Sequence, residues 1–168
     1  MPQITFNPIG IIHTPFISAN NMPIQGIGGK GIRATIEIFP EFVAGLKDLE
    51  GFSHIILLYH LHLVEKHALI VKPFMDDKQR GIFATRSPVR PNPIGMTTVR
   101  LIEIKDNLLM VEDIDMIDKS PLLDIKPCLP SIDDIQELRL GWLTGKVEQF
   151  SLIKSDKRFT SYIDTSAD

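Results

Sequence analysis

Apolar residues recur along the chain in short runs rich in β-branched side chains, with a spacing nearer two than 3.6. Such runs predict strands at residues 9–12, 34–39, 53–63, 81–83, 97–104 and 108–114. In the third, alternation sets His54, Ile56, Leu58, His60 and His62 on one face and Ile55, Leu57, Tyr59, Leu61 and Leu63 on the other. Lys105-Asp106-Asn107 separates the last two runs and predicts an antiparallel hairpin, because Asp and Asn enter tight turns readily. Helical signals are few. Pro40 opens a short helix through Leu46, and residues 132–138 carry acids in a possible first turn. Without a strand–helix–strand rhythm, the expected fold is mainly β and non-Rossmann.

Prolines sharpen this pattern. Several fall in two polar stretches, 87–95 and 120–130, where rigid loops are expected instead of ladders, because proline lacks the N–H that a central strand donates. Glycines supply a false lead. Gly26-Ile27-Gly28-Gly29-Lys30-Gly31 fits G-x-G-x-x-G, but a dinucleotide loop follows a strand and opens a helix; here Pro23 precedes it and the strand-like IRATIEIF follows. A flexible glycine turn is the expectation.

The 168 residues suit one domain, taken as residues 1–168 with a core of about 4–150 and a polar tail at 151–168, frayed from Thr160 onward. The apolar run 55–64 is interrupted by Tyr59, His60 and His62 and is about half of what a membrane-spanning helix needs. A lone cysteine, Cys128, and an N-terminus without a basic and apolar leader pattern predict a cytoplasmic protein. A net charge of -3 excludes broad electrostatic capture of nucleic acid, so any RNA contact must be local.

Candidate chemistry concentrates in two loops. Ala84-Thr85-Arg86-Ser87-Pro88-Val89-Arg90-Pro91-Asn92-Pro93-Ile94-Gly95 places two guanidiniums on a backbone stiffened by three prolines, which suits them to a carboxylate or phosphate; pairing with acids elsewhere in the fold is the alternative. Asp113, Asp115 and Asp118 precede Lys119-Ser120-Pro121, then Asp124-Ile125-Lys126-Pro127, a loop able to accept hydroxyl or amino groups or to form a solvated acidic turn. His60 and His62 lack the further ligands of a zinc pattern, so no metal is expected, and Cys128 has no histidine motif beside it.

Four ordered motifs carry a resemblance: PIGIIHTP from Pro8, GLKDLEGFSH from Gly45, the Ala84 to Gly95 loop with its RSPVRPNPIG core, and Asp115-Met116-Ile117-Asp118 through Lys126-Pro127. Over about residues 4–130 the chain resembles the TsaA-like or TrmO (YaeB-like) family. That resemblance implies a β-barrel-like, usually homodimeric methyltransferase that binds S-adenosylmethionine. Its implied reaction is methylation of the exocyclic nitrogen of threonylcarbamoyladenosine beside the tRNA anticodon.

The resemblance also implies where the cofactor is held: Pro23, Ile24 and Gln25, His62 and Leu63, Arg86, Met96, and Asp118, Lys119, Ser120 and Pro121. The family commonly has Arg in place of Ile24, Gln in place of Leu63, Gly-Thr in place of Lys119-Ser120 and Tyr in place of Cys128. Asp118, Asp124 and Lys126 are candidates for proton transfer by proximity alone, and no catalytic residue is assigned. The alternative to an enzyme is a non-catalytic dimeric module binding S-adenosylmethionine or a nucleotide.

Overall fold

A computed structural model describes residues 3–129 and 139–163 of the chain. Six strands close into an antiparallel barrel in the order β1-β2-β7-β6-β3-β8. They are β1 (Gly10–His13), β2 (Arg33–Ile38), β3 (His54–His60), β6 (Ile94–Lys105), β7 (Leu108–Glu112) and β8 (Ser120–Pro127), and a two-stranded ribbon joins β4 (Ile70–Val71) to β5 (Arg80–Gly81). The barrel-like, mainly β expectation therefore holds. No helix among the described residues is long and apolar enough to cross a membrane.

Alternation explains the core. The inward positions Ile12, Ile36, Ile38, Ile55, Leu57, Val99, Leu109, Val111 and Leu122 are almost fully buried, while Arg33, Glu37, His54 and Arg100 between them are exposed. Each aliphatic side chain so buried contributes roughly 1.5–3 kcal/mol. The face division expected along β3 is found at Ile55, Leu57 and Tyr59, but the strand ends at His60, and His62 and Leu63 lie in the turn that follows. β6 and β7 form the expected hairpin: Lys105 pairs with Leu108 across Asp106, which has φ 55, and Asn107, whose Nδ2 donates to the Ile38 carbonyl at 3.0 Å.

Four expectations need correction. The proline-bearing stretch from Ser120 is not a loop through Pro130: Ser120–Pro127 is the strand that closes the barrel between β1 and β3. Both prolines fit because each ladder is partial. β1 pairs with residues 120–122 and β3 with 122–127, so Pro121 lies beyond the β3 ladder and Pro127 beyond the β1 ladder. The strand expected at 81–83 is shorter, with Arg80–Gly81 in the ribbon and Ile82–Ala84 a single 3-10 turn that buries Ile82. The glycine turn is not loose: Gly26–Gly29 is a 3-10 turn in which a Cβ at Gly29 would stand 1.9 Å from the Ile114 carbonyl oxygen. Lastly, Thr160 is not frayed, because Lys157–Tyr162 is a 3-10 turn that buries Phe159. Pro40–Leu46 is the expected short helix, of 3-10 type with proline at its start, and the helix expected at 132–138 lies outside the described residues.

The segment after residue 139 ties together the loops that carry the candidate chemistry. Trp142 Nε1 donates to the Ala84 carbonyl at 2.7 Å, Lys146 Nζ to the Met75 carbonyl at 3.1 Å, and Ser155 exchanges backbone hydrogen bonds with Asn21 and Met22. Phe159 joins Val71, Ile82 and Val89 in a second apolar cluster, so the 84–95 loop has a small core of its own. This fastening, more than proline alone, holds the loop against the barrel.

Candidate functional site

At one end of the barrel the aliphatic core gives way to polar groups. Inward positions of β3 and β6 carry Tyr59 and Thr97, and the loop after β7 brings Asp115 against them. Thr97 Oγ1 donates to Asp115 Oδ1 at 2.6 Å, the Tyr59 hydroxyl reaches the same oxygen at 3.5 Å, and the two hydroxyls lie 3.2 Å apart. Burial pushes the Asp115 carboxyl above the usual range against the opposing effects of Thr97 and the Arg86 charge. Burial, reinforced by the Asp115 charge, also pushes the Tyr59 phenol up, so Tyr59 stays protonated and acts as a donor.

Above this cluster the structure brings two of the implied cofactor segments together. Arg86 Nη1 donates to Gln25 Oε1 at 2.9 Å, and Gln25 Nε2 donates to the Ile24 carbonyl at 2.7 Å. Pro23 is buried and its backbone bridges to Lys154. Gly26, which follows Gln25, lies so close to the barrel end that a Cβ there would meet Thr97 Cγ2 at 3.1 Å. Arg86 is exposed, and four of its five guanidinium N–H groups point elsewhere than Gln25.

The two arginines of the proline loop have different roles. Arg90 Nη1 donates to the carbonyls of Thr85 at 2.9 Å and Ile82 at 3.3 Å, and its guanidinium lies 6.0 Å from the Phe83 ring. It closes the loop on itself, so the expectation that Arg90 holds a ligand anion gives way to a structural role. Arg86 makes no such backbone bonds among the described residues.

A second group gathers after β3. His62 lies within electrostatic reach of His60 and Asp118; burial, then the His60 charge, pushes it below the usual histidine range, so it is neutral near physiological pH. Asp118 Oδ1 accepts from the Thr14 backbone N–H at 2.9 Å, and the Asp118 N–H donates to the Phe16 carbonyl at 2.8 Å, which fastens the turn to the exit of β1. Lys119 is exposed at φ 61, in the left-handed region that glycine adopts most freely. Ser120 is buried with its hydroxyl on the Ile117 carbonyl at 2.7 Å, and Pro121 pairs with Ile11. Leu63 is half-buried in the turn. Met96, opposite Leu58, is exposed on the face of β6 away from Thr97, so the structure does not bring it to the Arg86 side of that strand.

Asp124 and Lys126 pair with each other at 2.8 Å on β8. Among the described residues no group of three or more His, Cys, Asp or Glu could hold a metal ion. Concavities of about 260 and 250 Å³ lie beside His13, Thr14 and Arg33 and beside Asp76 and Arg158. Sequence reasoning overlooked Tyr59 and Thr97 as site residues; the available signal was a hydroxyl at an inward position of each of two otherwise apolar strand faces.

Residues 11–134 match the family model of the tRNA-methyltransferase O N-terminal domain. A probable S-adenosyl-L-methionine-binding protein of Pyrococcus abyssi is 49% identical over 95% of this chain and 86% of its own length. An S-adenosyl-L-methionine-binding protein of Archaeoglobus fulgidus is 40% identical over 78% of this chain and 94% of its own. The crystal structure of TrmO from Pseudomonas aeruginosa superposes with a TM-score of 0.70 at 34% identity, covering 84% of this chain but only 63% of that longer one. With the barrel and the ordered loops, these likenesses establish that the chain belongs to the TrmO family.

Proposed function

We infer that the chain binds S-adenosylmethionine at the Arg86 end of the barrel and transfers its methyl group to the exocyclic nitrogen of threonylcarbamoyladenosine beside a tRNA anticodon. The observation that carries this reading is the junction of Gln25 with Arg86 over the barrel end, since it joins two sequence-distant cofactor segments around a guanidinium with donors to spare. The residues fit the group: a planar fork for a carboxylate, a neutral His62, and a turn from Asp118 to Pro121 anchored to β1. Pro23, Ile24, Gln25, Leu63, Lys119 and Ser120 complete the proposed lining, and Met96, on the outer face of β6, is left out of it.

When bound, the cofactor supplies an already activated methyl group on its sulfonium. The protein then needs no strong nucleophile, and holding donor and acceptor in line supplies much of the rate. Of the side chains considered for taking up the proton released at nitrogen, Asp124 and Lys126 are engaged with each other, whereas Asp118 stands beside His62. Asp118 is therefore the proposed acceptor. The setting is the cytoplasm, with tRNA as partner and a homodimer as the assembly.

A second reading, a dimeric module that binds S-adenosylmethionine without turning it over, is favoured by one observation. The Pyrococcus and Archaeoglobus relatives, which this chain nearly spans, are described by binding alone, whereas the Pseudomonas TrmO is longer. Transfer of label from methyl-labelled S-adenosylmethionine to bulk tRNA separates the two. Incorporation supports the enzyme, and binding without incorporation supports the module.

A further inference from the structure

The Asp115 carboxyl is set among protein atoms at the barrel end, yet no Lys, Arg or His among the described residues forms an ion pair with it, although Arg86 and Gln25 lie just above. Both side-chain hydrogen bonds that it receives end on Oδ1, from Thr97 and Tyr59, which leaves Oδ2 without a side-chain donor among the described residues. Asp115 is half-buried, and a carboxylate held at the barrel end without a counter-charge is costly, so such a group either carries a proton or meets a cation when one arrives. Arg86 is near enough to act on both Asp115 and Tyr59 electrostatically, but its own hydrogen bond goes to Gln25. A guanidinium and a carboxylate thus act on one another electrostatically without a direct ion pair. That arrangement suits a ligand bearing both charges, with an anionic group for Arg86 and a cationic group for Asp115.

We propose that Asp115 is the receptor for the cationic part of the ligand, opposite the carboxylate site at Arg86. The assignment rests on the reading of this end as a site for S-adenosylmethionine, which carries two cations, an α-ammonium and a sulfonium. Thr97 on β6 and Tyr59 on β3 hold the carboxylate in place by donating to Oδ1, and Arg86 from the proline loop adds an opposing charge. Because partial burial favours the protonated acid, an arriving cation favours its ionisation, and binding should release a proton wherever the free protein holds that acid protonated.

Titration calorimetry in buffers of different ionisation enthalpy tests this on the unsubstituted protein. A binding heat that varies with the buffer, showing proton release that grows as pH falls from neutrality, is expected; a buffer-independent heat over that range overturns the proposal. Asp115→Asn keeps the shape and removes the charge. It should abolish the buffer dependence and weaken S-adenosylmethionine binding by about ten- to a hundredfold, while leaving 5′-methylthioadenosine, which has neither cation, bound as before. S-adenosylhomocysteine keeps the ammonium and lacks the sulfonium: an equal loss for it assigns the ammonium, and a loss for S-adenosylmethionine alone assigns the sulfonium. Equal affinity of both proteins for S-adenosylmethionine overturns the assignment, as does an equal loss for 5′-methylthioadenosine, which marks a collapsed pocket. Unsubstituted protein that binds no S-adenosylmethionine overturns the functional reading and this assignment with it.

Discussion

Gly95 lies flat against the ring of Tyr59, its partner across β6 and β3: a Cβ at position 95 would stand 2.3 Å from the ring carbon Cε2. The last residue of RSPVRPNPIG is therefore a glycine for a packing reason, since it leaves room for the phenol that reaches Thr97 and Asp115.

Gly95→Ala should displace that ring. Overpacking of this kind costs about 1–3 kcal/mol, so denaturant unfolding should show a stability loss in that range together with weaker S-adenosylmethionine binding. Unchanged stability would mean that the ring moves aside freely and that Tyr59 has no fixed place at the barrel end.

Arg86 and Arg90 should separate binding from folding. Lysine cannot reproduce the planar fork, so Arg86→Lys is expected to weaken S-adenosylmethionine binding by about 1.5–3 kcal/mol with little change in melting temperature. Arg90→Met should do the reverse, because the Thr85 and Ile82 carbonyls lose their donor; a stability loss of about 1–3 kcal/mol is expected. Thermal unfolding and calorimetry on both variants decide it, and a large stability loss in Arg86→Lys with unchanged affinity would place Arg86 in the scaffold.

Asp76 makes the attachment of the C-terminal segment sensitive to acid. Arg80, by hydrogen bonding, pushes its carboxyl down from 3.8 to about 2, and Lys146 of the later segment approaches it at 3.4 Å. A carboxyl depressed on folding contributes stability that is present above its unfolded value and is lost as pH falls through its folded one. The protein should therefore lose stability between pH 3.8 and about 2. In Asp76→Asn that part of the slope should vanish and stability at neutral pH should be lower, as melting curves across the acid range will show; an unaltered slope would rule Asp76 out as its source.

Light scattering at micromolar concentration should give twice the 18.9 kDa of one chain. A monomer at that concentration removes the homodimer from the proposal.

Local pattern alone determined the parts of this protein that depend on near neighbours. Burial of Ile55, Leu57 and Tyr59 on one side of β3, and the turn at Asp106 and Asn107, follow from residues within a few positions of each other. The ordered motifs carried the family. Which polar residues meet was decided by the tertiary structure, because barrel closure joins strands from opposite ends of the sequence: Gln25 meets Arg86 across 61 positions and Tyr59 meets Asp115 across 56. The same closure made a strand of Ser120–Pro127, since prolines that look like breakers in sequence are harmless where a neighbouring ladder has already ended. It also divided two arginines four residues apart, turning Arg90 onto its own loop's carbonyls and leaving Arg86 near the half-buried Asp115 carboxyl. No periodicity encodes that difference, which depends on where the loop's carbonyls and the Asp115 carboxylate come to rest once the barrel has closed.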